Sequence, residues 1–367
     1  LLSRGLGDVY KRQVKGDSYM AEPLDVTDLL GTDTLIDHQN EFVSFTGLTV
    51  APSTDANGNE CTVQVPLENV SVVHKYIPMF LKMLGVEDEV AGLDNTYGMK
   101  FQRYFENSFD IGDFSNPDGE TMLAHGSKVI LTPITMGLSN GDALEAMGIQ
   151  VIYIDVTDPY VIPENLEILA HIFGFTDDIK ANYDRYMELY NECFDYVEQF
   201  DFSGTADADF CLYMSSSGFY QTHQSAAVKV VEHISGRSYT HTVDPDVKDT
   251  VYFYQEPSVI YNFDGEHGLD YLFLYSMDTP ELNLQKFIDS GNDIDLTEMS
   301  CFQNHHVYAL STDCVNGLLS CVSLILYAEA FGADTGDKAA EIIQGINDAF
   351  GLDYSTEDLL VEVSGLV

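Results

Sequence analysis

Several short stretches of the chain set aromatic rings beside cations and histidines. His74, Lys75 and Tyr76 form one; Tyr97, Lys100, Arg103 and Tyr104 form a second. Thr135 and Met136 form a third, and Tyr213, Phe219, Tyr220, Gln221 and His223 a fourth. Tyr252, Phe253 and Tyr254 complete the set. Rings supply flat apolar walls, hydroxyls and an amide supply polar anchors, and a guanidinium binds a carboxylate at two points. That mixture suits non-covalent capture of a large, flat or chelated ligand. Beyond residues 1–13 arginine occurs only at 103, 185 and 237, in a chain of net charge −44. The cations Lys75, Lys100 and Arg103 therefore point to an anionic group on the ligand. His74 and His223 have the chemistry to ligate iron or haem, although a lone histidine more often makes a structural hydrogen bond. His305 and His306, if placed in a strand, face opposite sides and do not share a metal. Asp155 and Asp158 read as turn caps.

The remaining signals are mostly exclusions. There is no GxSxG, P-loop, HExxH or post-strand GxGxxG, and Ser215–Gly218 reads as a flexible loop. With 60 acidic against 16 basic residues, nucleic acid and anionic membrane are poor partners. The acidity itself reads as a solvated surface. The six cysteines show no CxxC or zinc-type spacing and are expected as buried thiols. No apolar run is long enough to span a membrane. Asp8 to Gln13, DVYKRQ, resembles a translated sequencing adaptor, so residues 1–13 are set aside from the fold. An export signal or lipid-anchor cysteine is therefore expected to be missing from this sequence.

The elements that must position these residues alternate along the chain. Val70, Val72 and Val73 favour a strand; Pro78 suits the first turn of a helix and Gly85 its end. Strands follow at 86–92, 129–132 and 151–154, with helices starting near Pro117 and Ala143. A helix over 164–172 breaks at Gly174, and Thr176 caps a restart sustained to Phe200. A second series has strands at 210–214, 269–275 and 307–310, with a polar loop over 215–224. Its helices lie at 226–234, after Pro257, at 318–331 and at 338–349. Glu120 and Glu256 each begin a helix at equivalent places, where the helix dipole favours an acid. The expected fold is α/β: two lobes with parallel-type sheets flanked by helices, joined by one long interlobe helix. The expected domains are an adaptor-like and linker segment (1–34), an N-terminal lobe (35–161), a linking helix (162–201) and a C-terminal lobe (202–367).

This pattern resembles the substrate-binding proteins of iron-complex, siderophore, haem and cobalamin ABC importers, the single-helix-hinge class of periplasmic binding proteins. The likeness covers about residues 55–335. It rests on Asp55, Gly58 and Pro66; the unit 70–92 with Leu84–Gly85; Gly112–Phe114 with Asn116, Pro117 and Glu120; 148–154; 165–174; and 306–310. Phe302 stands where the family often has tryptophan, and 126–130 replaces its usual proline–aspartate entry to a strand. The resemblance implies an extracytoplasmic, monomeric protein, periplasmic or lipid-anchored at the cell surface. It would have no catalysis and no cofactor of its own. It would capture an iron chelate, haem or corrinoid in an interlobe cleft and deliver it to an ABC permease and its ATPase. Glu120 and Glu256 would dock that permease. The alternatives are a metal- or tetrapyrrole-handling enzyme on a related bilobal fold and a surface scavenger without a transporter.

Overall fold

In the computed structural model, residues 66–133, 138–247 and 251–367 are described, with Tyr252 and Phe253 as backbone only. Short strands at 34–36, 42–46, 49–50, 53–54 and 60–61 are described as backbone as well. The chain divides into two compact units, Leu1–Glu188 and Leu189–Val367.

In the first unit, strands β1 (Val70–Val72), β2 (Val90–Leu93), β3 (Phe109–Asp110), β4 (Val129–Pro133) and β5 (Gln150–Ile154) form one sheet. Their order is β5-β4-β1-β2-β3, with every pairing parallel. β1 is central, and Val70, Ser71 and Val72 are all buried, so both its faces are covered, as a parallel sheet flanked by helices requires. The chain leaves β1 toward β2 on one side and returns to β4 on the other. Such a switch point leaves a crevice beyond the strand ends. The helix Tyr76–Leu84 buries Ile77, Met79, Phe80, Leu81, Met83 and Leu84. It ends at Gly85, whose positive φ of 78° suits a residue without Cβ. A Cβ there would also meet Asn182 Nδ2 at 2.9 Å, the atom that donates to the Leu84 carbonyl. Val73, Ile111, Met122, Ile130, Leu144, Ile149, Val151 and Tyr153 form one core cluster of this unit.

In the second unit, strands β6 (Asp209–Met214), β7 (Phe219–Gln221), β8 (Arg237–Ser238), β9 (Tyr252–Phe253), β10 (Tyr271–Ser276), β11 (Val307–Ser311) and β12 (Leu360–Glu362) build a seven-stranded sheet. Its path is β9-β7-β6-β10-β11-β12, with β8 also on β6. The centre, β6, β10 and β11, is parallel, and β7, β9 and β12 run antiparallel at the margins. The architecture is thus α/β with parallel sheets flanked by helices.

Four local expectations are corrected. The polar stretch 215–224 contains strand β7, because a turn at Met214–Gly218 folds Phe219 and Tyr220 back onto β6. The helix sustained to Phe200 ends at Val197. The helix over 318–331 divides into a 3-10 turn, Gly317–Leu319, and the helix Val322–Ala330. His305 and His306 precede β11 rather than entering it, His305 at a φ of 58°. The helix Pro280–Ser290, for which no element was expected, is capped by Thr279 with Pro280 in its first turn. All described cysteines, Cys193, Cys211, Cys301, Cys314 and Cys321, are buried free thiols of the second unit.

Candidate functional site

Strands β1 and β2 run side by side in parallel, so the loops that follow them emerge at the same sheet edge. The loop after β1 carries His74, Lys75 and Tyr76; the loop after β2 carries Asp94 to Tyr97 and leads into the 3-10 helix Gly98–Tyr104. The fold brings their rings together. His74 lies 4.6 Å from Tyr76 and 4.7 Å from Tyr97, centroid to centroid. Phe114 completes the group, 5.2 Å from Tyr97 and 6.0 Å from His74. Each nearby cation sits over a tyrosine: Lys75 Nζ is 5.4 Å from the Tyr76 ring, Lys100 Nζ 5.4 Å from Tyr97, and Arg103 Cζ 4.5 Å from Tyr104. A cation over a ring face is attracted by the ring's quadrupole. Arg103 also donates to the Tyr104 hydroxyl and to the Lys100 carbonyl.

His74 is buried, with 4% of its surface exposed. Burial, and then the charge of Lys75, push its pKa down to about 3, so the ring is neutral at ordinary pH. Its Nδ1 is buried and has no hydrogen-bond partner among the described residues. The backbone at His74 has a φ of 69°, unusual for a non-glycine residue. Its N–H donates to Asp94 Oδ2 at 2.7 Å. Asp94 is fully buried and also accepts from the N–H groups of Thr96 (3.0 Å), Tyr97 (2.7 Å) and Gly98 (3.1 Å). Tyr76, Tyr97 and Phe114 are half-buried, and Lys100 and Arg103 are exposed. The arrangement can therefore present the half-buried rings of Tyr76, Tyr97 and Phe114 and the exposed Lys100 and Arg103 at one edge, with the neutral imidazole of His74 buried among the rings. Thr135 lies outside the described residues.

In the second unit the expected residues separate. Tyr213 and Tyr220 are core residues, 2% and 1% exposed. Tyr213 packs 4.9 Å from Tyr220 and 5.0 Å from Phe287, so these two rings are packing residues and are not carried into the site. The cause is sheet geometry: β6 is buried on both faces, and Cys211 and Tyr213 share the face covered by this core. His223 stacks on His241 at 4.2 Å and pairs its Nδ1 with Thr240 Oγ1 at 3.1 Å. His241 is in turn paired with Glu232 at 2.8 Å. Burial, then the neighbouring His241, lower the His223 pKa. Tyr254 follows β9 and is 65% exposed; Tyr252 lies in β9, its side chain outside the described residues. His306 stacks on Tyr271 at 4.4 Å and His305 pairs with Ser364, so these two histidines serve separate structural contacts. Among the described residues no group of three or more His, Cys, Asp or Glu side chains is placed to hold a metal ion. No described helix is long and apolar enough to cross a membrane.

Glu120 is exposed in the first turn of the helix Gly119–Ala124, which Asp118 caps. Glu256 is exposed immediately before the helix Pro257–His267. Two site residues escaped sequence reasoning. Phe114 follows a short strand with no pattern to mark its direction. Asp94, a strand-ending aspartate four residues before Gly98, carried the signal of a turn-forming carboxylate.

No protein-family model matches the chain, and no curated protein matches it in sequence. Solved structures do match. A TroA-like periplasmic binding protein, FepB from Veillonella parvula, aligns over 84% of this chain and 98% of its own, with a TM-score of 0.60 and 15% identity. A Fe3+-hydroxamate transport protein from Saccharomonospora viridis aligns over 77% and 99%, with a TM-score of 0.56 and 16% identity. A periplasmic heme binding protein from Pseudomonas aeruginosa aligns over 72% and 93%, with a TM-score of 0.56 and 14% identity. The α/β architecture, its strand order and these alignments together give the chain the fold of the periplasmic substrate-binding proteins of ABC importers.

Proposed function

We propose that the chain is an extracytoplasmic substrate-binding protein that captures an iron chelate, haem or corrinoid and delivers it to an ABC permease. One observation carries this reading: the cluster of His74, Tyr76, Tyr97 and Phe114 at the ends of β1 and β2, with Lys75, Lys100 and Arg103 each over a tyrosine. Flat ring surface favours a planar or chelated ligand, and cations beside it favour an anionic group on that ligand. The neutral imidazole of His74 packs among these rings and adds no charge to the ring surface. The matched solved structures include haem-binding and Fe3+-hydroxamate transport proteins, which supports the ligand class. Tyr104 belongs to the same reading through Arg103. Thr135, His223, Tyr252 and Tyr254 are retained as further ligand contacts. Binding involves no bond making or breaking, and the metal arrives as cargo.

Glu120 and Glu256 are the docking residues in this proposal. Exposed acids at a helix start steer and orient a basic partner surface. The test is titration of the purified protein with hemin, a ferric trihydroxamate and cyanocobalamin, read by absorbance and native mass spectrometry. A 1:1 complex with one of the three is expected; failure to bind all three overturns the proposal.

A further inference from the structure

The loop after β1 and the loop after β2 are separated by twenty residues of chain, yet one side chain holds both. Asp94 Oδ2 accepts from the N–H of His74 at 2.7 Å and of Gly98 at 3.1 Å. Its Oδ1 accepts from the N–H of Tyr97 at 2.7 Å and of Thr96 at 3.0 Å. An ionised carboxylate offers about four acceptor positions, and here four are taken by backbone amides. Two of those amides belong to the residues whose rings form the centre of the candidate site. The approach is close enough to require glycine at 98, where a Cβ would stand 2.8 Å from Asp94 Oδ2. The left-handed backbone at His74, costly for a residue with a Cβ, is held by the short bond to the same carboxylate. Burial pushes the Asp94 carboxyl above its usual value even though the four amides pull it down. Placing this acid here carries an energetic cost that an ordinary turn cap on the surface does not.

We infer that Asp94 is a positioning residue: its buried carboxylate gathers the amides of both loops and so fixes the His74 and Tyr97 rings in place for ligand. Its consequence for binding rests on the function proposed above; its structural part does not. Asp94→Asn is the informative change. The amide keeps one oxygen acceptor but turns an NH2 toward two backbone N–H donors, so the side chain keeps its shape and loses about half of its hydrogen bonds. Gly98→Ala is the second variant. It leaves Asp94 in place and presses on the same oxygen, so the inference stays open to test if Asp94→Asn does not fold.

The experiment is residue-resolved amide hydrogen exchange on the full chain, paired with hemin titration of the same samples. In the wild type the amides of His74, Thr96, Tyr97 and Gly98 are expected to be protected. In either variant they should exchange about tenfold faster or more, while the amide of Leu212 in β6 is unchanged. Hemin affinity should fall about tenfold or more as preorganisation is lost, with the melting temperature held within a few degrees. The 15N shifts of the His74 ring should also move, a change that loss of stability alone does not produce. Unchanged exchange at the four amides overturns the inference, whether or not the wild type binds hemin. Faster exchange with unchanged hemin affinity overturns the role in binding. Failure of the wild type to bind hemin, the ferric trihydroxamate or cyanocobalamin overturns the proposed function, and the exchange result still decides whether Asp94 ties the loops.

Discussion

The two units place tyrosines at matching points, and they use them differently. After β1 and β2 the rings of Tyr76 and Tyr97 stay half-buried, with a histidine between them and cations over them. In the second unit Tyr213 turns inward against Tyr220 and Phe287, and burial pushes the hydroxyls of both tyrosines up in pKa. Buried amides from Gln221 and Gln255 serve the hydroxyls of Tyr275 and Tyr239 there, both at 2.6 Å. Tyr254 and, beyond β10, Met277 lie outside, 65% and 54% exposed. The difference shows that a ring next to a strand end is not by that fact a ligand contact. A ring stays half-exposed where the backbone has left the strand before the ring is reached, as at Tyr76 and Tyr97, and is buried while pleating still aims it into a helix layer, as at Tyr213.

The largest effect that would break this contrast belongs to Tyr213→Ala. It should cost about 3–5 kcal/mol in urea unfolding, as for other buried aromatic truncations, and leave hemin affinity of the folded fraction unchanged. A stable variant with lost affinity would put Tyr213 in the site. Next comes acid. The His74 pKa in the folded protein, about 3, lies below its value in the unfolded chain. Between the two the unfolded chain binds the extra proton, so stability is full above about pH 6.5 and falls as pH drops toward 3, by at most about 4 kcal/mol. Asp94, whose carboxyl is raised, gains stability as pH falls and offsets part of this loss. Comparing wild type with His74→Gln at pH 7 and pH 4 isolates the histidine; equal losses in both proteins would remove it as the cause.

Smaller effects sharpen the same comparison. Tyr97→Ala should change stability by less than about 1 kcal/mol while weakening hemin binding about tenfold, the inverse of Tyr213→Ala. Lys100→Met with Arg103→Met should weaken binding a few-fold, and the deficit should shrink at high salt, because exposed charges are screened. Smallest in the isolated protein are Glu120→Gln and Glu256→Gln. They should leave ligand affinity unaltered and slow uptake only in cells carrying the permease; reduced affinity would instead make them ligand contacts.

Much of the fold was legible because its signals are local and strong. Pro78 and Gly85 bracket a helix that the structure ends at Leu84, and Gly174 marks the break between Ile162–Ile172 and Asp177–Val197. The three-residue β7 left too little alternation to read, and its pairing with β6 depends on a turn that pattern does not encode. Thr279–Pro280 was a readable helix start that the surrounding polar residues obscured. For the candidate site, the rings of the first unit that the sequence singles out are brought together because His74–Tyr76 and Tyr97–Tyr104 are compact in sequence and follow neighbouring parallel strands. Phe114 was missed because its place in the group arises from the meeting of separate loops, which no linear spacing records, whereas Asp94 carried only the local signal of a turn-forming carboxylate.

The buried thiols have a practical consequence. Every described cysteine lies in the second unit, and burial pushes the thiols of Cys193, Cys211 and Cys301 up, away from the reactive thiolate form. A thiol-specific label added to the native protein should therefore react at these positions only when the second unit opens. Its rate becomes a clock for that opening, while the acid titration of His74 reports on the first. The two halves of one chain carry separate chemical reporters, and neither requires an added tag.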